Sequence, residues 1–184
     1  MTHKEIGLLR HGKSDWDSGA ETDHQRPLVE RGVDASRLMG RFLQRSGLTP
    51  QEVWTSSALR ARETAELAAR AGRWDCPIEV TGALYATEAE AVLDLLRRLD
   101  RDLDRILLVG HNPTWEELLA LLIGGGRFKL PTGGLAWIHL PSDRWADCRP
   151  GTGVLRWLVT PKLLHTPIWR DGGLPQSGTS QQPL

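Results

Sequence analysis

Four strand-length runs separated by stretches of helical periodicity constrain this chain more than any other feature. Ile6-Gly7-Leu8-Leu9, Glu52-Val53-Trp54-Thr55, Pro77-Ile78-Glu79-Val80 and Arg105-Ile106-Leu107-Leu108-Val109-Gly110 have strand length. Between the first two, residues 32–46 place Val33, Leu38, Phe42 and Leu43 near helical spacing and run into Gly47. Residues 59–71 are rich in helix-forming Ala, Leu, Arg and Glu and end at Gly72, and residues 89–99 carry Val92, Leu95, Leu96 and Leu99 on one stripe. Parallel neighbours need a crossover long enough for a helix, so this alternation predicts a mostly parallel sheet covered on both faces.

A further helix is expected over residues 113–123, with Asn112 as its N-cap and Pro113 in its first turn. Residues 135–140 and 154–159 then follow as strands with no helix between them, which adds an antiparallel portion. The expected fold is therefore α/β: a three-layer α/β/α sandwich around a sheet of about six strands. One domain over residues 1–164 is expected, with residues 165–184, mainly Gly, Pro, Ser, Thr and Gln, as a mobile C-terminal tail.

The 184 residues hold 23 basic and 23 acidic side chains, so the formal charge is zero. That excludes a general electrostatic attraction to nucleic acid, and any anion site must be local. No apolar run reaches the ~18 residues that span a bilayer, and no signal-peptide core follows Met1; a cytoplasmic monomer without membrane contact is expected. Cys76 and Cys148 lack metal-ligand spacing and read as packing thiols, so no metal is expected. His3, His24, His139 and His165 read as ordinary surface or strand residues. Of the eight tryptophans, Trp54, Trp137 and Trp157 are expected in the core, whereas Trp16 and Trp115 fall near the cleft described next.

Ligands of open α/β sheets bind beyond the carboxyl ends of the strands. Two predicted strands end at histidine, in Arg10-His11-Gly12 and in Gly110-His111-Asn112-Pro113, and a third leads into Ser56-Ser57-Ala58-Leu59-Arg60-Ala61-Arg62-Glu63-Thr64. Two guanidinium groups, two imidazoles and helix N–H groups in one cleft suit a phosphoryl group, because Arg offers a planar fork to its oxygens. Neutral imidazole is also a competent phosphoryl acceptor near pH 7.

At these residues the chain resembles the histidine phosphatase (phosphoglycerate-mutase-like) superfamily. The likeness rests on the RHG triplet Arg10–Gly12, the S-x-x-x-R-A-x-x-T element Ser56–Thr64 and Gly110-His111. Arg26-Pro27-Leu28 leading to Gly32, Ser36-Arg37-Leu38-Met39 and Leu84-Tyr85 look like the small bacterial SixA-type phosphohistidine phosphatases. The resemblance implies that His11 is the phosphorylated nucleophile, that Arg10 and Arg60 clamp the phosphoryl oxygens and that His111 completes the pocket, with no metal or other cofactor. Arg26, Gly12 and Asn112 are expected to contact substrate.

Many members carry a glutamate two residues after the leucine of Leu84-Tyr85-Ala86, serving as general acid toward an alkoxide; here alanine stands there. An alkoxide needs a proton donor and the less basic imidazole needs one far less, so the chain is expected to favour P–N over P–O bonds. Glu88 is the candidate substitute proton donor. The expected partner is a protein carrying phosphohistidine. The alternatives are a small phosphorylated substrate, making the chain a phosphomonoesterase, and a non-catalytic anion-binding or docking module.

Overall fold

The computed structural model describes residues 3–99 and 102–166. All but the first two residues of the expected tail lie outside that range. The chain order is β1 (Lys4–Arg10), α1 (Glu30–Arg45), β2 (Glu52–Ser56), α2 (Leu59–Gly72), β3 (Ile78–Thr81), α3 (Ala89–Arg97), β4 (Arg105–Gly110), α4 (Thr114–Ile123), β5 (Leu135–Leu140), β6 (Val154–Val159) and α5 (Pro161–Leu164). The six strands form one sheet in the order β3-β2-β4-β1-β5-β6. Only β5 runs against its neighbours, β1 and β6, which is the antiparallel portion.

Side chains alternate across each strand, and the central strands are apolar on both faces, so the sheet carries two cores. Ile6, Leu8, Ile106 and Leu108 pack with Leu96 of α3 and Leu118, Leu119 and Leu122 of α4. Leu9, Val53, Leu107 and Val109 pack on the other face with Met39 and Leu43 of α1 and Ala61, Ala65 and Ala68 of α2. The alanine stripe of α2 lets α1 come close: a side chain on Gly40 would run into the carbonyl of Ala68. Nothing larger than glycine fits there.

Three local expectations change. Helix α2 ends on Arg73 in the left-handed region (φ +52°). Gly72 before it is buried against Trp74, where a side chain would collide with the indole, so packing and not conformational freedom requires the glycine. Pro113 is the N-cap of α4, and Asn112 lies outside the helix with its side chain turned elsewhere. Trp54 and Trp137 are buried as expected, but Trp157 is 43% exposed because β6 is an edge strand with an open face. Both cysteines are free, Cys148 buried and Cys76 half-buried. Among the described residues no helix is long and apolar enough to cross a membrane.

Candidate active site

Strand order explains how residues a hundred positions apart converge. Strands β2, β4 and β1 are neighbours and parallel, and both Thr55 and Leu9 pair with Val109. Their carboxyl ends, Ser56, Gly110 and Arg10, therefore finish side by side. The next residues in β4 and β1 are His111 and His11, whose ring centroids lie 5.1 Å apart at 57°. A cavity of about 380 Å³ opens over this row. Arg10, His11, Arg26, Arg60, His111 and Asn112 line it, as expected from the sequence. Lys13, Ser14, Asp23 and Thr132 also line it and carried no signal in the sequence.

His11 is buried, and its Nδ1 lies 2.7 Å from the carbonyl oxygen of Gly12. A carbonyl can only accept, so Nδ1 carries the proton and Nε2 keeps the lone pair. Gly12 itself does not line the cavity; its N–H donates to Thr64 Oγ1 at 3.0 Å, and a side chain there would sit 2.6 Å from the Gly32 carbonyl. The expectation that Gly12 contacts substrate gives way to a positioning one, because its donor is spent inside the protein. Thr64 also donates to the Arg60 carbonyl at 2.7 Å, so the last residue of the Ser56–Thr64 element ties the nucleophile loop to the arginine helix.

Arg60 is 5% exposed, whereas Arg62 on the same helix is exposed to solvent. Arg60 Nη1 and Nη2 donate to the main-chain oxygen and Oδ2 of Asp23, at 2.6 and 2.8 Å. Asp23 Oδ1 accepts from Arg26 Nε and Nη2, and Arg26 Nη1 donates to Ser14 at 2.7 Å. The Nε–H groups of Arg10 and Arg60 are buried with no protein acceptor. A buried guanidinium N–H left unpaired costs about 1–3 kcal/mol or more, a cost both side chains carry where they line the cavity. Arg10 is held from the other side by Nη1 donating to the Leu130 carbonyl.

His111 Nε2 lies 2.8 Å from Ser56 Oγ, giving the first serine of the motif a positioning part. Tyr85 meets the His111 ring edge-on, and its hydroxyl donates to Asp23 at 3.2 Å. His24 packs edge-on against Tyr85 and contacts Ser57 Oγ at 2.9 Å, so it is no bystander, and Ser57 does not cap α2. Trp16 is 69% exposed at the rim with Arg26 stacked 3.5 Å over it, as expected of a bordering aromatic. Trp115 is not at the border: it is fully buried beneath the site, its indole N–H donating to the Leu9 carbonyl.

Asn112 lines the cavity, but Nδ2 donates to Glu116 and to the Leu130 carbonyl, leaving only its acceptor oxygen, which suits a phosphoryl oxygen poorly. Glu88 is exposed at the start of α3 and outside the cavity wall, so the candidate proton donor is misplaced. Ala86 does line the cavity, in the left-handed region (φ +49°). Among the described residues Asp23 is thus the one carboxyl group in the wall.

Burial, reinforced by the neighbouring cations, pushes His11 down to about 3 and His111 down to about 4. Both imidazoles are neutral at pH 7. Burial would raise the Asp23 carboxyl, but the hydrogen bonds from Arg26 and Arg60 outweigh it and hold it at about 2. Below pH 6.5 the unfolded chain protonates its histidines while these two stay neutral in the fold. Stability should therefore fall as pH drops from 6.5 toward 4, by up to about 1.4 kcal/mol per pH unit for each. Urea midpoints at pH 7, 6 and 5 measure this, and the decline should be shallower in the His11→Gln/His111→Gln double variant. An equal decline would contradict the assignment of neutral imidazoles.

Residues 6–89 match the histidine phosphatase superfamily (branch 1). An uncharacterized protein of Mycobacterium tuberculosis is 32% identical over 157 residues, covering 80% of this chain and 96% of that protein. Phosphohistidine phosphatase SixA of Escherichia coli is 27% identical over 160 residues, covering 85% of this chain and 94% of SixA. The structure of the protein histidine phosphatase SixA complexed with tungstate superposes with a TM-score of 0.76 at 27% identity, over 87% of this chain and 99% of that one. With the sheet order, the paired imidazoles and the guanidinium-lined cavity above, these likenesses establish that the chain belongs to the histidine phosphatase superfamily, in its SixA-type group, and is a phosphatase.

Proposed function

We propose that this phosphatase hydrolyses phosphohistidine on a partner protein through a phosphoenzyme formed on His11. His11 Nε2 attacks phosphorus in line with the leaving imidazole, a P–N bond forms as the substrate P–N bond breaks, and the freed imidazole keeps the electron pair. If its other ring nitrogen already carries a proton, it departs neutral. Water then attacks the phosphoryl group, the bond to His11 breaks, and the released phosphate gives up one proton to solvent. His11 in turn leaves as neutral imidazole, since Nδ1 keeps its proton while donating to the Gly12 carbonyl. Arg10 and Arg60 stabilise charge spreading over the equatorial oxygens.

The observation that carries the P–N preference is the state of Asp23. Among the described residues the single carboxyl group in the cavity wall is ionised and bound to two guanidinium groups, so none of them offers a carboxylic acid there to protonate an alkoxide. A polypeptide partner is supported by a second groove of about 580 Å³ that shares Lys13 and Thr132 with the cavity. Arg31, Lys129 and Lys162 border it with no carboxylate beside them in its lining, which suits acidic residues flanking the phosphorylated one.

Steady-state kinetics on a phosphohistidine peptide, an aryl phosphate and an alkyl phosphate test the reading. Turnover of the phosphohistidine peptide should exceed that of the alkyl phosphate by at least about 10²-fold, the contribution of a missing general acid. Comparable kcat/KM on the alkyl ester would overturn it. The small-molecule phosphomonoesterase reading predicts the reverse ranking, with the ester turned over faster.

A further inference from the structure

At the opposite end of β1 from the cavity, three side chains meet that the phosphatase reaction does not use. His3 and Glu5 are two residues apart on extended chain, so they face the same side of the sheet. Glu5 pairs with His139 across the antiparallel β1–β5 ladder, which puts His139 on that side as well. His3 Nε2 and His139 Nε2 lie 3.1 and 3.0 Å from the same oxygen, Glu5 Oε1, and the two rings stack with centroids 4.5 Å apart. The three atoms all fall within 4.8 Å of one another.

We propose that His3, Glu5 and His139 form a binding site for a divalent transition ion of the zinc type, separate from the catalytic cavity. Bonds of about 2.0–2.2 Å in a tetrahedral shell place neighbouring ligand atoms about 3.3–3.5 Å apart. The nitrogen–oxygen separations here are within a few tenths of an ångström of that, so rotation of two side chains on an intact backbone admits the ion. Two imidazoles and one carboxylate favour zinc, cobalt, nickel or copper over calcium or magnesium, which prefer oxygen. The other carboxylate oxygen is held by Arg105 Nε at 2.8 Å and Trp137 Nε1 at 3.3 Å, so Oε1 is aimed at the histidines. The Arg105 charge weakens affinity relative to a free carboxylate but stays on the far oxygen. Partial exposure of His3 and His139 leaves the fourth position to water.

The site lies about 20 Å from His11, six residues along extended chain, so the ion would join β1 to β5 without entering the chemistry. Titration of tag-free, chelator-stripped protein with Zn²⁺ or Co²⁺ in phosphate-free buffer tests this, read by calorimetry, by Co²⁺ visible bands and by thermal melting. One ion per chain should bind with a Kd at or below the micromolar range and raise Tm in a saturable manner. His139→Gln and His3→Gln, both on partly exposed side chains, should each weaken binding at least about tenfold. They should remove the Co²⁺ bands and leave kcat on an aryl phosphate unchanged. Binding and Tm shift that persist undiminished in both variants, or no binding by the parent protein at about 100 μM ion, would overturn the site. Neither result bears on the phosphatase reading, which uses other residues.

Discussion

Replacing His11 with alanine is expected to lower kcat on every phosphorylated substrate by at least about 10⁴-fold, because the proposed reaction runs through a phosphoenzyme formed on this imidazole. Nearby His111 has Nε2 engaged with Ser56 and does not occupy the same position. The fold should survive. His11 is neutral, and its imidazole's hydrogen bond within the protein goes to the Gly12 carbonyl while its backbone bonds stay, so the hydrogen-bond loss is about 1 kcal/mol of net stability. Circular dichroism and a urea melt separate this from unfolding. Rapid quenching with radiolabelled phosphohistidine peptide should trap an acid-labile, base-stable phosphoenzyme in the parent protein, mapping to His11 and absent from the variant. A label on serine or aspartate, or retained turnover, would refute the proposed mechanism.

Arg60→Ala is expected to lower kcat/KM by roughly 10³-fold, the scale of removing a preorganised donor from a transition state with developing negative charge. The side chain is almost wholly buried, lines the cavity and is held there by Asp23, so its guanidinium charge is preorganised for an anion. Arg60→Lys should recover little. An ammonium is a point charge and cannot bind the main-chain oxygen and Oδ2 of Asp23 through two nitrogens of one plane, the contact that holds the guanidinium at the cavity. Full activity in the lysine variant would show that charge alone is needed and that the fork geometry is incidental. Phosphate or tungstate affinity, measured alongside, should weaken with kcat/KM if Arg60 contacts the anion directly.

The alternation of strand and helix was legible because hydrophobic period is a local property, and the three histidine and arginine elements because they adjoin strand ends. Misreadings fall where a residue's part depends on something distant in the chain. Asp23 looked like one acid in a polar loop, and only the fold sets it between Arg26 and Arg60, three and thirty-seven residues away. Asn112 looked like a helix cap, yet the loop at Leu130 claims its amide. Trp115 is placed under β1 by the packing of α4, and Trp157 on an open edge by the end of the sheet.

The sequence by itself determined the layered α/β architecture and the histidine and arginine elements that line the cavity, since periodicity and short motifs are carried by neighbours along the chain. Tertiary structure alone decided which nitrogen of His11 is free, why Arg60 and not Arg62 faces the cavity, and that Asp23 is an ionised anchor. It also brought His3 and His139 to one carboxylate oxygen. These depend on strand order and register, which bring together groups whose separation in sequence is too large for any local pattern to record.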